Sequence, residues 1–207
     1  MAHRLYDMFM FEATQETWEA VLALLHPAPG DQVLDAGAGT GRLAIALADL
    51  VGDDGRVAGI DVSPAMLRQA DRQIARTQYR SRIELRQGDV RALPYADQSF
   101  DAATASLILE LLCPDETIAA LKELGRVVRP GGRIVVAALA EELPYGRTLS
   151  FYLVLRAIFR LAALGRPLSL RRLAKDAGLV GKISMRRSLL RLPVDILLCE
   201  VPGIAAK

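Results

Sequence analysis

The sequence predicts an α/β fold, a doubly wound, mostly parallel seven-stranded sheet with a C-terminal antiparallel hairpin. Two observations predict it. From residue 32 onward, short apolar runs alternate with helical stretches, the pattern of a parallel sheet covered by helices. The first apolar run passes through Asp35-Ala36 into a glycine turn, Gly37-Ala38-Gly39-Thr40-Gly41, which opens a helix.

The elements follow in order. A first strand is expected at 32–35 and a helix at 42–50, ended by Gly52-Asp53-Asp54-Gly55. Residues 56–61 form a second strand. Ser63 then caps a helix that has Pro64 at its first position and runs to about Thr77. Residues 82–86 alternate apolar and charged side chains, as a strand near a sheet edge does. Residues 100–105 are a buried fourth strand, followed by a helix over 115–128. Pro130-Gly131-Gly132 makes a tight turn into a fifth strand at 133–139. A last helix at 168–177 closes on Gly178, and 183–190 with 195–201 form a terminal hairpin around Pro193. With 207 residues, no repeat and no low-complexity linker, 1–207 is one domain. It carries an apolar N-terminal segment, 1–28, and an apolar and basic insertion, 140–167.

Composition is that of a globular protein, 52% hydrophobic and 24% charged. The net charge of +2 hides an asymmetry. Residues 1–146 hold 14 Lys+Arg and 21 Asp+Glu, whereas 147–191 hold 11 Lys+Arg and the single acid Asp176. A basic block on an acidic chain suggests an anionic partner; an Arg-rich solvated face is the alternative. Two cysteines, Cys113 and Cys199, form no CxxC pair, so no metal site is expected. The start Met-Ala-His-Arg-Leu-Tyr-Asp lacks a secretory pattern, and no run of 18 apolar residues spans a membrane. A cytoplasmic protein is expected.

The glycine turn carries the functional argument. Glycine permits positive φ and close ligand approach, and the following helix aims its N–H groups at the ligand. Such loops bind dinucleotides, nucleotides or adenosylmethionine. The third glycine falls at 41 rather than one position later, where a dinucleotide fingerprint needs it, and Arg42 occupies that place. No Lys-Ser/Thr pair follows, so it is not a P-loop. Asp35, directly before the glycines, suits a cationic sulfonium better than a pyrophosphate. Asp61 ends the second strand, where it can accept ribose hydroxyls, and Asp89 follows the third, where it can accept an adenine amino group. Each of the latter two can instead be a turn or cap residue. Together the three acids line one sheet edge, the usual ligand side.

With these residues the chain resembles class I S-adenosylmethionine-dependent methyltransferases. The motifs are 33–43 (VLDAGAGTGRL), 59–61 (GID), 88–90 (GDV), 93–94 (LP), 99–101 (SFD) and 124–136 (LGRVVRPGGRIVV). Similarity is strongest to the type 11 group, with quinone-biosynthesis and phospholipid N-methyltransferases, and covers about 30–139. The resemblance implies a Rossmann-like methyltransferase fold. It implies S-adenosylmethionine as cofactor and S-adenosylhomocysteine as product. It places Asp35, Gly37, Gly39 and Thr40 along the methionine end, Asp61 on the ribose, and Val62 and Met66 near the adenine. Asp89 and Val90 close the adenine pocket, while Ser106 and Leu107 face the sulfonium. Many relatives carry histidines after the fourth strand; this chain reads Leu109-Glu110-Leu111.

Amine or phenol methylation invites a general base. Glu110 is the first candidate, because burial in its apolar stretch would raise its pKa; a solvent-facing position is the alternative. Tyr6, in the apolar stretch 5–11, is the second, and its alternative is simple packing. Residues 151–164 (FYLVLRAIFRLAAL) hold 12 apolar residues of 14, with Arg156 and Arg160 on one helix face. Roughly 21 Å of helix is too short to span a bilayer but suits an interfacial helix. Arg147, Arg166, Arg171 and Arg172 flank it and can meet anionic lipid. The expected activity is methyl transfer to a hydrophobic or lipid acceptor, a phospholipid amine or quinone ring, at the inner membrane face through 147–172. A soluble small-molecule methyltransferase with the insertion as a substrate lid is the alternative. Nucleic acid is disfavoured, because aromatic residues do not interleave with the basic ones.

Overall fold

The computed structural model describes residues 2–141, 166–189 and 192–202, with side chains from Thr14 onward except 182–184. Its elements are α1 (Ala2–Leu25), β1 (Gln32–Ala36), α2 (Arg42–Leu50), β2 (Arg56–Asp61), α3 (Pro64–Ile74) and β3 (Ile83–Gln87). Then come β4 (Phe100–Ser106), α4 (Pro114–Val127), β5 (Val128–Leu139), α5 (Leu170–Asp176), β6 (Val180–Leu189) and β7 (Leu192–Glu200). A 3-10 turn, Leu109–Leu111, lies between β4 and α4.

The strands form one seven-stranded sheet in the order β3-β2-β1-β4-β5-β7-β6. The first five run parallel, and β7 enters antiparallel between β5 and β6. The pleat of β1 and β4 puts alternate residues on opposite faces. Val33, Ala102 and Val135 therefore join Val21 and Leu25 of α1 and Leu47 of α2. Leu34, Ala103 and Ile134 join Leu121 and Leu124 of α4 on the other face. Each fully buried Leu or Ile contributes about 1.5–3 kcal/mol, and the two layers bury the sheet between helices.

Local signals set the helix starts. Ser63 Oγ accepts the Met66 N–H at 3.4 Å, with Pro64 next in the chain. Pro114 opens α4, and Glu116 reaches back to accept the Cys113 N–H at 2.8 Å. Arg126 of α4 then clasps the chain entering β4. It donates to the carbonyls of Leu93 (3.0 Å) and Tyr95 (2.9 Å) and pairs with Glu123, which itself accepts the Leu93 N–H.

Several boundaries differ from expectation. The segment 1–28 is mostly one helix, α1, packed across β4–β7. Helix α3 stops at Ile74, and Thr77 turns the chain by donating to the Ile74 carbonyl through both its N–H and its hydroxyl. Helix α4 spans Pro114–Val127, one residue earlier at each end than expected. Strand β5 starts at Val128, and Pro130-Gly131-Gly132 is an irregularity inside it: pairing jumps from Phe100↔Val128 to Ala102↔Arg133. Gly131 takes φ +78 there and donates to the Val201 carbonyl at 2.9 Å. Helix α5 is shorter than 168–177, because Leu168 bridges Ala140 in parallel instead. Pro193 is not in the turn. It sits second in β7 opposite Ser188, near a strand end, where a missing donor costs least. The expected insertion helix at 151–164, with Arg147, Arg156 and Arg160, lies outside the described residues.

Candidate active site

The glycine turn is fixed by the end of β2. The N–H groups of Gly37 and Ala38 both donate to the Ile60 carbonyl, at 2.8 and 2.9 Å. The Gly39 N–H donates to Asp61 Oδ2 at 2.9 Å, and the Ser63 N–H to Asp61 Oδ1 at 2.8 Å. Asp61 thus anchors the loop, and its oxygens keep lone pairs for further donors. The glycines do different work. A Cβ on Gly37 would stand 2.4 Å from Ile108 Cγ2, so that glycine serves a close contact. Gly39, with φ +52, has nothing nearer its Cβ direction than a carbonyl oxygen at 3.9 Å, so its flank is open to a ligand. Thr40, between Gly39 and Gly41, stays half-buried at the same turn.

Asp35 lies one rung below, 2% exposed and paired in register with Gly59 and Thr104. Burial, with Asp61 nearby, pushes its carboxyl up to about 7, and its Oδ2 has no hydrogen-bond partner. Val62 and Met66 are 69% and 36% exposed beside Asp61, an apolar surface where a flat ring would lie. Asp89 is already engaged: the Arg91 N–H and Nε each donate to its Oδ1 at 2.9 Å, and Arg91 also pairs with Glu116. The guanidinium holds the Asp89 carboxyl below the usual carboxylate range. Asp89 therefore does build the turn after β3, with Val90 half-buried against the α4-side core.

Beyond β4 the chain is strained. Leu107 adopts φ +58, unusual for a bulky residue, and donates its N–H to Ala137 at 2.8 Å. The preceding Ser106 presents a buried hydroxyl without a partner. Glu110, on the 3-10 turn, is 4% exposed rather than solvent-facing, and burial pushes its carboxyl up to about 7. N–H groups of Glu110 and Leu139 offset that in part, yet Oε2 remains without a partner. Arg166 does not reach outward to lipid. Its N–H donates to the Glu110 carbonyl (2.9 Å) and its guanidinium to the Leu112 carbonyl (2.6 Å). The Tyr6 side chain lies outside the described residues.

Sequence reasoning missed Thr104, Thr17 and the inward role of Arg166. A lone hydroxyl in the run Ala102-Ala103-Thr104-Ala105 was the available signal for the first. No group of three or more metal-ligating side chains occurs among the described residues. No described helix is long and apolar enough to cross a membrane. A cleft of about 360 Å³ lies apart from the glycine turn, lined by Glu141, Ser169, Arg171, Arg186 and Asp195 among others. The turn is the better ligand site, because the Gly39 flank is open there and Asp61 beside it keeps lone pairs for further donors.

A sheet of this order, with an acid-flanked glycine turn ending its central strand, defines the fold of adenosylmethionine-dependent methyltransferases. Residues 33–132 match the family model described as a methyltransferase domain. It is 41% identical over 125 residues to a demethylmenaquinone methyltransferase of Desulfitobacterium hafniense (strain Y51), covering 60% of this chain and 49% of that protein. It is 36% identical over 174 residues to an uncharacterized 37.1 kDa protein in transposon TN4556 of Streptomyces fradiae, covering 81% and 48%. The chain spans about half the length of several of these curated relatives. Among solved structures, geranyl diphosphate C-methyltransferase from Streptomyces coelicolor A3(2) superposes with TM-score 0.75 at 16% identity, covering 90% of this chain and 77% of that one. The cyclase SpnF superposes with TM-score 0.74 at 19% identity, covering 91% and 81%. These identities show the shared fold, and a fold hosts more than one reaction.

Proposed function

We propose that this protein transfers a methyl group from S-adenosylmethionine to a hydrophobic acceptor at a membrane surface, and that the acceptor is a hydroquinone ring. The observation that carries the acceptor chemistry is Glu110, a buried carboxyl with an unpartnered oxygen just past the end of β4. The name shared by relatives, demethylmenaquinone methyltransferase, supports the ring. Exposed Arg171, Arg172 and Lys175 of α5, with Arg187 of β6, support contact with anionic headgroups.

The cofactor supplies an activated methyl on sulfur, so the protein contributes alignment and a dry site. Gly39 admits the ligand to the loop backbone. Asp61 would take the ribose hydroxyls, and Asp35 would place a carboxylate near the cationic end. Val62 and Met66, with Val90, would hold the adenine. Glu110, titrating near 7, takes the proton of a ring hydroxyl and raises electron density on the ring carbon. Methylation of the ring carbon would break the sulfonium S–CH3 bond and release S-adenosylhomocysteine; as the carbon's proton leaves to solvent, Glu110 would return the hydroxyl proton.

The test supplies labelled cofactor with a demethylated menaquinol in anionic vesicles. Label is expected in the ring, and Glu110→Gln should lower turnover roughly 100-fold with cofactor affinity unchanged. Label in phosphatidylethanolamine, or only in a water-soluble acceptor without vesicles, would replace the ring assignment.

A further inference from the structure

Three buried, unpaired oxygens, on Thr17, Asp35 and Thr104, belong to the layer between the sheet and the helices on its α1 side. Helix α1 runs opposite to the parallel strands, because the short link 26–31 joins Leu25 directly to Gln32 at the start of β1. Thr17 therefore lies roughly 12 Å up the helix from Leu25, at 1.5 Å per residue. Thr104 lies roughly 13 Å up β4 from Phe100, at about 3.3 Å per residue. Asp35 is the register partner of Thr104. All three belong to the α1 face of the sheet. Val33 and Ala102, two residues before Asp35 and Thr104, share a cluster with Ala20, Val21 and Leu25 of α1. Helix α1 packs against β4 itself.

Thr17 and Thr104 are fully buried, and neither hydroxyl has a hydrogen-bond partner. Asp35 Oδ2 is likewise buried and unpaired. Buried polar groups without partners are costly and rare, and three in one otherwise apolar layer require an explanation. Valine would fill the volume of either threonine without the polar cost. Helix and strand propensities of threonine and valine are close, so backbone preference does not explain the hydroxyls.

We propose that Thr17, Asp35 and Thr104 bind a buried water cluster, and that this cluster ties α1 to the cofactor loop. An internal water makes about three hydrogen bonds to otherwise unsatisfied groups, and Asp35 and Thr104 are register neighbours on the face that α1 covers with Thr17. Two hydroxyls and a carboxyl supply both donors and acceptors to a water. Ser106, two residues beyond Thr104 on the same strand face, extends the polar row toward the ligand edge with its own unpartnered hydroxyl. Helix α1 thereby becomes part of the cofactor site rather than a lid of apolar contacts only. The link to the cofactor rests on the methyl-transfer reading; the water cluster does not.

The test compares Thr17→Val, Thr104→Val and Thr104→Ser with the parent protein, without ligand. Thermal unfolding should fall by roughly 2–4 °C in each valine variant, and Thr104→Ser should restore it. Amide exchange across 14–21 should slow when S-adenosylhomocysteine is added to the parent protein, and should not slow in Thr17→Val. Unchanged or raised melting temperatures in both valine variants would overturn the cluster, because the hydroxyls would then be unpaid desolvation. Slowed exchange of α1 in Thr17→Val equal to that of the parent would overturn the tie to the loop. Failure of the parent protein to bind S-adenosylhomocysteine would overturn the methyl-transfer reading, while melting of the unliganded variants still decides the cluster.

Discussion

The ends of β2 and β3 differ in kind from the ends of β1 and β4. At the former, Asp61 is tied to two backbone N–H groups and Asp89 to Arg91. At the latter, Asp35, Thr104 and Ser106, with Glu110 beyond them, are buried with oxygens unpaired. The first region is a finished support that holds its shape without ligand. The second has left desolvation uncompensated, which native proteins do where a ligand, water or proton transfer uses the group. On the proposed reading, adenosine recognition would fall on the finished side and methyl transfer on the unfinished one.

The largest way to break this contrast is Gly37→Ala. The added Cβ meets Ile108 at 2.4 Å and a backbone at φ +82, so the loop loses its seat against the β4 side. Overpacking alone costs about 1–3 kcal/mol, which urea unfolding reads as a lower midpoint. Gly39→Ala, whose flank is open, should cost less stability and show its damage in cofactor binding. Next in size is Asp61→Ala. It removes the anchor of Gly39 and the ribose acceptor together, and should weaken cofactor binding by about 1.5–3 kcal/mol in calorimetry. An unchanged affinity would move the ribose to another residue.

A further effect is on stability against pH, and it belongs to the unfinished region. Asp35 and Glu110 titrate near 7 in the folded chain, above their ordinary 3.8 and 4.5. The folded state therefore holds more protons than the unfolded state between those values. Unliganded protein should lose stability as pH rises from about 4 through about 7, the reverse of a paired carboxylate. Asp35→Asn should melt a few degrees higher than the parent protein at pH 8 and near it at pH 4. The same variant should bind cofactor more weakly, which separates folding from function at one atom.

Much of the sheet was legible because its signals are local. Strand β2 and helix α2 have the expected bounds, each closed by glycine, acid or cap residues in the sequence. The order of strands was harder. The irregularity at Phe100 is set by pairing with Val128, a partner distant in sequence, so Pro130-Gly131-Gly132 reads as a turn from the chain alone. Pro193 misled for a related reason: its tolerance depends on where the ladder ends, not on its neighbours. In the site, Asp35 and Asp61 were readable from the glycine spacing. Burial of Glu110 was an even choice until the 3-10 turn faced it inward. Thr17 was not readable, because its meaning comes from sharing a layer with Thr104 across the helix–sheet boundary.

Helix α1 also imposes an order on folding. It packs on β4, β5, β6 and β7, so the first described element docks on strands that follow it far along the chain. At synthesis rates of roughly 5–20 residues per second, its docking surface is incomplete until many seconds after the helix emerges. Until β7 slots between β5 and β6, the buried face of α1 and the inner face of β5 are both unsheltered, and a holding chaperone would find them in that interval.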